Sequence, residues 1–402
     1  MESPWRRWGP WLSERQWGTV REDYSPDGDA WDSFSHDAAR SRAYRWGEDG
    51  LAGFCDRSQR ICLGLALWNG RDSILKERLF GLTNGQGNHG EDVKEQYFFL
   101  DATPTASYLR MVYRYPQAAF PYEDLVETNA ARGVEDREYE LIDTGVFDEN
   151  RFFDVQVEYA KADAEDIILR VEVTNHGPES STLHLVPQAW FRNTWSWGTD
   201  AERPTMTLDE DGSVRVVHPE VGTYRLEFTD EATPLFCENE TNFPKVFGSE
   251  EICRHPKDAI HDAIVDGRAE AVNPDGHGTK VGLNHVLEIP ASGTATVRIR
   301  LSPVTAKPGL DDVDATADRR RAECDAFNLS HEAKCESDDA RGILRQAHAG
   351  MIWGCQFYNY DVRRWLEGDP GQPPPPRGHK NGRNHEWTHI ANHDVLSMPD
   401  AW

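Results

Sequence analysis

The sequence lacks any run of about 18 apolar residues, the length that a membrane-spanning helix needs. Residues 1–17 are rich in Trp, Arg and Pro and hold no continuous apolar segment, so they do not resemble a secretory signal peptide. The 7 cysteines are odd in number, lie far apart and form no C-x-x-C pair, which argues against a disulfide framework and against a zinc site. These absences predict a cytoplasmic protein without a metal or other cofactor.

Positive charge is also scarce, since 43 Lys and Arg stand against 69 Asp and Glu, for a net charge of -26. Such a chain repels nucleic acids and anionic membranes, so neither is expected as a partner. Tryptophan, by contrast, is abundant, with 14 residues. Its flat apolar ring suits either the core of a wide β-sandwich or stacking on sugar rings.

Alternating apolar and polar residues predict an antiparallel meander in the middle of the chain. Three such runs lie between positions 151 and 192, separated by turns rich in Gly, Pro, Asn and Asp. Further strands are predicted at 61–68, 97–100, 214–217, 223–228, 281–289 and 294–301. This spacing is typical of a β-sandwich and not of βαβ units, so the fold class is mainly β.

The pattern changes near Pro308, after which two helices are predicted at 311–327 and 338–366. The second helix would present one apolar face, formed by Ile343, Leu344, Ala347, Met351, Ile352 and Cys355. A proline-rich tract at 368–376 ends it. An all-helical domain is therefore expected to begin near the end of the chain.

Residues 85–90 match G-x-G-x-x-G, but a dinucleotide site needs a buried strand before the motif and a helix after it. Here a charged segment precedes the motif and an aromatic strand follows it, which argues against nucleotide binding. Two interpretations stay open: a glycine-rich loop on a β scaffold, or a loop that presents polar side chains to a ligand. Those side chains are Asn88, His89, Glu91 and Asp92.

His385, His389 and His393 are spaced by four, as metal ligands on a helix would be. Their neighbours do not favour a helix, so we interpret them as surface or hydrogen-bonding residues. The sequence contains no G-x-S-x-G or P-loop motif, and 69 acidic residues offer too many pairs to choose an acid and a base.

Long runs carry more information than these short motifs. They cover positions 76–95, 97–101, 103–105, 115–122, 143–148, 153–155, 159–163, 190–198, 349–351, 356–366 and 397–402. Together they resemble bacterial and fungal proteins of glycoside hydrolase family 63, the family of mannosyl-oligosaccharide glucosidase. The resemblance spans nearly the whole chain.

This resemblance implies an N-terminal super-β-sandwich followed by a C-terminal (α/α)6 barrel, and hydrolysis with inversion. Inverting enzymes use a carboxylic acid and a carboxylate roughly 6.5–9.5 Å apart. In the family both lie in the barrel, and the acid follows the Ser-Met-Pro-Asp-x-Trp run at which this chain ends. The resemblance therefore assigns no catalytic residue here, and implies only that Asp400 and Trp402 line the sugar pocket and that Asn88, His89, Glu91 and Asp92 match a loop of the N-terminal domain.

The expected domains are an irregular segment at 1–60, the super-β-sandwich at 61–305, a helical linker at 306–336, and the truncated start of the barrel at 337–402. The expected function is the N-terminal part of an inverting glycoside hydrolase acting on α-glucosides or related small glycosides, inactive by itself. Expected partners are an oligosaccharide or small glycoside and the missing barrel segment. The alternative is a stand-alone carbohydrate-binding or scaffold module without catalysis.

Overall fold

The computed structural model describes residues 3–20, 34–82, 92–133, 135–198, 202–229, 231–250, 253–332, 335–375, 377–382 and 384–396. Within them the chain is mainly β. The strands are β1 (Trp8–Gly9), β2 (Leu51–Asp56), β3 (Ile61–Trp68), β4 (Gly81–Leu82), β5 (Asp92–Val93), β6 (Gln96–Ala102), β7 (Tyr108–Pro116), β8 (Phe152–Asp163), β9 (Asp166–Asn175), β10 (Ser181–Phe191), β11 (Thr205–Leu208), β12 (Val214–His218), β13 (Gly222–Phe228), β14 (Thr233–Cys237), β15 (His277–Gly278), β16 (Lys280–Ile289), β17 (Thr294–Pro303), β18 (Cys355–Asp361) and β19 (Ala391–Leu396).

The helices are short in the first part of the chain and longer after the last strand of the large sheets. They are α1 (Gln16–Val20), α2 (His36–Ala39), α3 (Tyr122–Ala130), α4 (Phe243–Phe247), α5 (Ala259–Ile264), α6 (Val313–Glu332), α7 (Asp338–Trp353) and α8 (Val362–Glu367). None of the described helices is both long and apolar enough to cross a membrane.

Two large antiparallel sheets form a sandwich. One has six strands in the order β1-β2-β3-β10-β16-β14, and the other has nine in the order β15-β11-β12-β13-β17-β9-β8-β7-β6. Their facing side chains share one core, in which Leu185 and Leu283 of the first sheet join Val155 and Val157 of the second. The alternation read from the sequence thus places these residues on the inner face.

The predicted strands are confirmed, and 61–68 matches β3 residue for residue. The first 60 residues are less irregular than expected, because β1 and β2 belong to the six-stranded sheet. All six residues of β2 are buried, so this strand has no polar alternation from which it could be recognised. The domain boundaries themselves stay predictions.

The C-terminal region differs from the expectation of one long helix at 338–366. The helix α7 ends at Trp353, and the next residues form β18, which pairs with β19. Tyr360 packs its ring on Trp46 at 5.2 Å, so tertiary contacts with the N-terminal segment override the helical spacing. The start of an (α/α)6 barrel is not confirmed by this arrangement.

The helices α6 and α7 both pack on the nine-stranded sheet. Val313 and Ala317 of α6 lie against Tyr108 and Ile168 on its outer face. Trp353 of α7 is 1% exposed and stacks on Phe99 at 5.0 Å. The opposite side of α7 is open, since Ile343 and Met351 are 63% and 54% exposed. The apolar face that the sequence predicted on this helix is therefore only partly buried.

Buried ion pairs cover the outer face of the six-stranded sheet. Arg78 pairs with Asp49 at 3.0 Å and with Glu77 at 3.1 Å, and Lys280 pairs with Glu77 at 3.1 Å. Burial by itself would raise the pKa of Glu77, but Lys280 and Arg78 together hold it below its usual value. These pairs join the N-terminal segment to the sheet.

A buried carboxyl group also links the N-terminal segment to the C-terminal hairpin. Glu14 is 4% exposed and accepts a hydrogen bond of 3.1 Å from Nε2 of Gln356. Burial raises the pKa of Glu14 to about 7. Ionising this group in the folded state therefore costs free energy that is not required in the unfolded chain.

Replacing Trp353 tests how firmly α7 is attached. Trp353→Ala should lower the free energy of unfolding by about 3–5 kcal/mol, because it removes a large buried ring and leaves a cavity. Met351→Ala, on the exposed side of the same helix, should change it by about 0.5 kcal/mol or less. Urea denaturation followed by circular dichroism measures both. Equal effects of the two substitutions would contradict this packing.

Replacing Glu14 tests the pH dependence. Folded Glu14 keeps its proton up to a pKa of about 7, whereas the unfolded group loses it near 4.5, so the wild-type protein loses stability as pH rises through this window. Glu14→Gln does not titrate and should gain relative stability between these pH values, reaching roughly 3 kcal/mol above pH 7. Thermal unfolding across the pH range measures the gain. Exposed Glu135→Gln is the control and should show no such trend; a gain independent of pH for Glu14→Gln would refute the assignment.

Candidate functional site

Most of the sequence-predicted site residues lie outside the described part of the chain. Asn88, His89 and Glu91 are among them, and so are Asp400 and Trp402. Their assignment to a sugar site stays a prediction. Asp92 is the one member of that set that the structure describes.

Asp92 follows the predicted loop and is 2% exposed. Its carboxylate pairs with the ammonium group of Lys94, which also contacts Glu138 at 3.0 Å and Glu140 at 3.1 Å. Burial and the neighbouring Glu138 raise the pKa of Asp92 to about 7. Asp92 is therefore engaged in an ion cluster beside the predicted loop and does not line the cavity described below.

A cavity of about 820 Å³, called cavity A, opens beside the end of β10. This volume falls in the range of small-molecule sites. Four chain segments form its wall. Its lining residues are Ala43, Tyr44, Asn193, Trp195, Ser196, Trp197, Glu240, Thr241, Phe243, Ser249, Glu250, Asp369, Pro370, Gly371, Gln372 and Pro373.

The aromatic wall of cavity A is a single turn that follows β10. Residues Trp195–Trp197 form a 3-10 turn, and the buried amide of Asn193 accepts a hydrogen bond of 3.1 Å from the backbone N–H of Ser196. The guanidinium groups of Arg45 and Arg192 lie over the ring of Trp197, at 4.9 and 5.0 Å from its centre. These contacts hold the indole in a fixed orientation.

Two of the three carboxylates of cavity A are fixed by cations and by an indole. Glu240 accepts a hydrogen bond of 2.8 Å from Trp195 Nε1 and pairs with Arg203 at 2.9 Å. Asp369 pairs with Arg45 at 3.0 Å. A wall of oriented aromatic rings and carboxylates can bind a ligand that has both apolar C–H faces and hydroxyl groups.

The segment that carries Ala43 and Tyr44 is fixed by buried polar contacts with the loop after β14. The backbone N–H of Ala43 donates to the hydroxyl of Thr241 at 3.0 Å, and Lys257 Nζ donates to the carbonyl of Arg42 at 2.9 Å. Burial lowers the pKa of Lys257 to about 8. These contacts fix the segment of Ala43 and Tyr44 relative to the segment of Thr241, and both segments line cavity A.

No local sequence pattern predicts cavity A. The run 190–198 contributes only to the family resemblance, and the proline-rich tract at 368–376 predicts only the end of a helix. The Trp-x-Trp pair in a chain rich in tryptophan was the available signal. The sequence does not indicate that these two segments meet in the fold, because they are about 170 residues apart.

Two clusters of the described residues bring three possible metal ligands together. They are Asp92, Glu138 and Glu140, and His261, Asp262 and Asp266. Each already holds a cation, Lys94 in the first and Arg268 in the second, which pairs with Asp262 at 2.7 Å. His385, His389 and His393 do not share a helix, since His393 lies in β19. None of these groups is assigned a metal.

No protein-family model matches the chain. It is similar to an uncharacterized protein of Saccharomyces cerevisiae, with 40% identity over 449 aligned positions that cover 100% of this chain. The chain spans 41% of the length of that relative. The two proteins are thus homologous along this whole region.

Solved structures show only weak similarity. A candidate aldose 1-epimerase of Escherichia coli K12 aligns with 51% of this chain and 67% of its own, at 10% identity and a TM-score of 0.21. A candidate kojibiose phosphorylase from the human microbiome aligns with 91% of this chain and 42% of its own, at 9% identity and a TM-score of 0.24. Scores this low do not establish a shared fold.

Gly371 tests the contact between the proline-rich tract and the tryptophan turn. A Cβ atom at this position would lie 2.4 Å from the carbonyl oxygen of Ser196, so Gly371→Ala must displace one of the two segments. We expect a loss of about 1–3 kcal/mol in the free energy of unfolding and a change in tryptophan fluorescence. Gly342→Ala is the control, because a Cβ there meets nothing within 4 Å. Unchanged stability and fluorescence in Gly371→Ala would refute this contact.

Proposed function

We propose that the chain is the N-terminal part of an inverting glycoside hydrolase related to family 63, and that cavity A binds a glycosyl unit of an α-glucoside or related small glycoside. The observation that carries the proposal is the wall of cavity A, where Trp195 and Trp197 stand beside Glu240 and Asp369. Sugars present C–H faces that stack on indole rings and hydroxyl groups that donate to carboxylates.

The sequence resemblance supports the same proposal independently. The run 190–198 contains residues that line cavity A. The run 356–366 lies just before Asp369, which lines it too. Because the relative from Saccharomyces cerevisiae is uncharacterized, the proposed activity rests on the resemblance and on cavity A.

Two of the three carboxylates that line cavity A are ion-paired, which favours a role for them in binding over one in catalysis. Glu240 and Asp369 are each paired with a guanidinium group. A general acid must instead hold a proton that it can donate to the leaving oxygen. In line with the family resemblance, we propose that the catalytic acid and base belong to the part of the barrel that lies beyond residue 402. A binding module without catalysis differs from this proposal only in lacking that barrel.

Binding of neutral glycosides to the purified chain tests the role of cavity A. Calorimetric titration with maltose and nigerose should give saturable binding that Trp195→Ala weakens about tenfold, equivalent to about 1.4 kcal/mol. Trp195→Phe should lose less, since it keeps a ring face. Trp387→Ala is the control, because Trp387 is 53% exposed and does not line cavity A. If Trp195→Ala binds as tightly as the wild-type chain, cavity A is not the sugar site.

An assay of glucose release from the same glycosides tests the missing catalysis. The chain by itself should release none above the uncatalysed background. Turnover at an ordinary enzymatic rate, about 1–1,000 per second, would show that these residues already contain an acid and a base.

A further inference from the structure

Two of the 7 cysteines meet in the fold, although no sequence motif joins them. Cys55 lies near the end of β2 and Cys62 near the start of β3, and the antiparallel register places the two directly opposite each other. Both side chains are 0% exposed, and they share a buried, apolar environment. The other buried members of this cluster are Trp11, Leu12, Trp190 and Phe357.

The geometry of this pair meets the requirements of a disulfide bond. Residues directly opposite each other on antiparallel strands have Cα atoms about 4.5–5.5 Å apart. A disulfide needs a Cα separation of about 4.4–6.8 Å and Cβ atoms that do not point apart. The thiols of Cys55 and Cys62 already hydrogen-bond to each other. A bond between the two sulfurs therefore requires little movement of the backbone.

The turn between the two strands is fixed by polar contacts that keep the cysteines in register. The carboxylate of Asp56 accepts a hydrogen bond of 2.7 Å from the backbone N–H of Ile61. The thiol of Cys62 donates to the carbonyl of Gln59 at 3.5 Å, and Nε2 of Gln59 donates to the carbonyl of Trp11 at 2.9 Å. These contacts oppose a change of register, so the two sulfurs stay neighbours in the folded chain.

We propose that Cys55 and Cys62 form an oxidative modification site, at which a peroxide converts the two thiols into a disulfide between β2 and β3. With hydrogen peroxide, the first thiol becomes a sulfenic acid and one water is released. The second sulfur then attacks the sulfenic sulfur, which forms the S–S bond and releases a second water. One hydrogen peroxide thus takes up two electrons and the two thiol protons. The proposal is independent of cavity A and of the proposed function.

Burial determines which oxidants reach the pair and how fast they react. It raises the pKa of both thiols, so the reactive thiolate is scarce and the first step is slow. Hydrogen peroxide is small enough to enter through local openings of the fold, whereas glutathione disulfide reacts only with a sulfur that is exposed to it. After the first step the partner thiol is already in contact, which favours the disulfide over further oxidation.

Peroxide treatment of the folded full chain, followed by alkylation in denaturant and tryptic mass spectrometry, tests the site. Trypsin cuts after Arg57 and Arg60, so the two cysteines fall in different peptides that only a disulfide can join. We expect a joined product two hydrogens lighter than the two free peptides together, which a reductant separates. Oxidation of other cysteines while Cys55 and Cys62 are both alkylated would overturn the proposal.

Cys355 is the competitor for either member of the pair. It lies on β18, is partly exposed and packs against the same cluster. Its partner across the hairpin is Leu396, so it is not opposite Cys55 or Cys62 in a strand pair. We expect no disulfide to this residue. Peptides that join Cys355 to Cys55 or Cys62, in place of the expected product, would overturn the proposal.

Matched substitutions locate the reaction. Cys62→Ser keeps a donor for the carbonyl of Gln59 and should give no joined product. Cys335→Ser changes a cysteine outside the cluster and should leave the product unchanged. Circular dichroism confirms that each variant is folded, and Cys55→Ala, which keeps the cluster apolar, is the second variant. Loss of the product in Cys335→Ser, or its persistence in folded Cys62→Ser, would refute the assignment.

A second oxidant distinguishes reaction in the folded chain from reaction after unfolding. For each oxidant, the rate at the pair is divided by its rate at the partly exposed Cys335. This ratio should be at least about tenfold lower with glutathione disulfide than with hydrogen peroxide, because both thiols of the pair are 0% exposed. Equal ratios would show that the pair reacts only when the fold opens widely, and would overturn the proposal.

Discussion

Burial of ionic side chains on the outer face of the six-stranded sheet constrains where the N-terminal segment and the long loops can lie. Arg78, Asp49 and Glu77 are all nearly inaccessible to solvent, and each has an oppositely charged partner. An unpaired charge at this depth would cost several kcal/mol, so the segments that carry the charges must meet in one arrangement. If the segment of Asp49 moved relative to that of Glu77 and Arg78, at least one of these buried charges would lose its partner.

The shape of cavity A is a consequence of this constraint. Lys257, on the loop after β14, donates to the backbone of Arg42 and lies 4.1 Å from the centre of the Tyr44 ring. Because that segment is fixed, Arg45 is placed to reach both the ring of Trp197 and the carboxylate of Asp369. One guanidinium group thus joins the tryptophan turn to the proline-rich tract, two walls of cavity A.

Local patterns predicted the sandwich well, because its strands obey a period of two. Phe153, Val155 and Val157 alternate with polar residues and face the core, as the sequence indicated. The rule fails where a strand is buried on both faces, as in β2, and where a helical spacing is overridden, as in β18. Tertiary contacts decided both cases.

The candidate site was harder to predict for the same reason. Its walls come from residues near 43, 195, 241 and 370, and no local pattern indicates that these segments meet. The resemblance to a hydrolase family pointed to sugar chemistry but directed attention to Asn88, His89 and Asp92. Of these, Asp92 lies in an ion cluster and does not line cavity A.

A crystal structure of this chain grown with an α-linked glucose disaccharide tests most directly whether cavity A binds sugar. We expect density for a glycosyl ring against Trp195 and Trp197, with its hydroxyl groups within hydrogen-bond distance of Glu240 or Asp369. Density for the sugar elsewhere, with cavity A filled only by water, would contradict it.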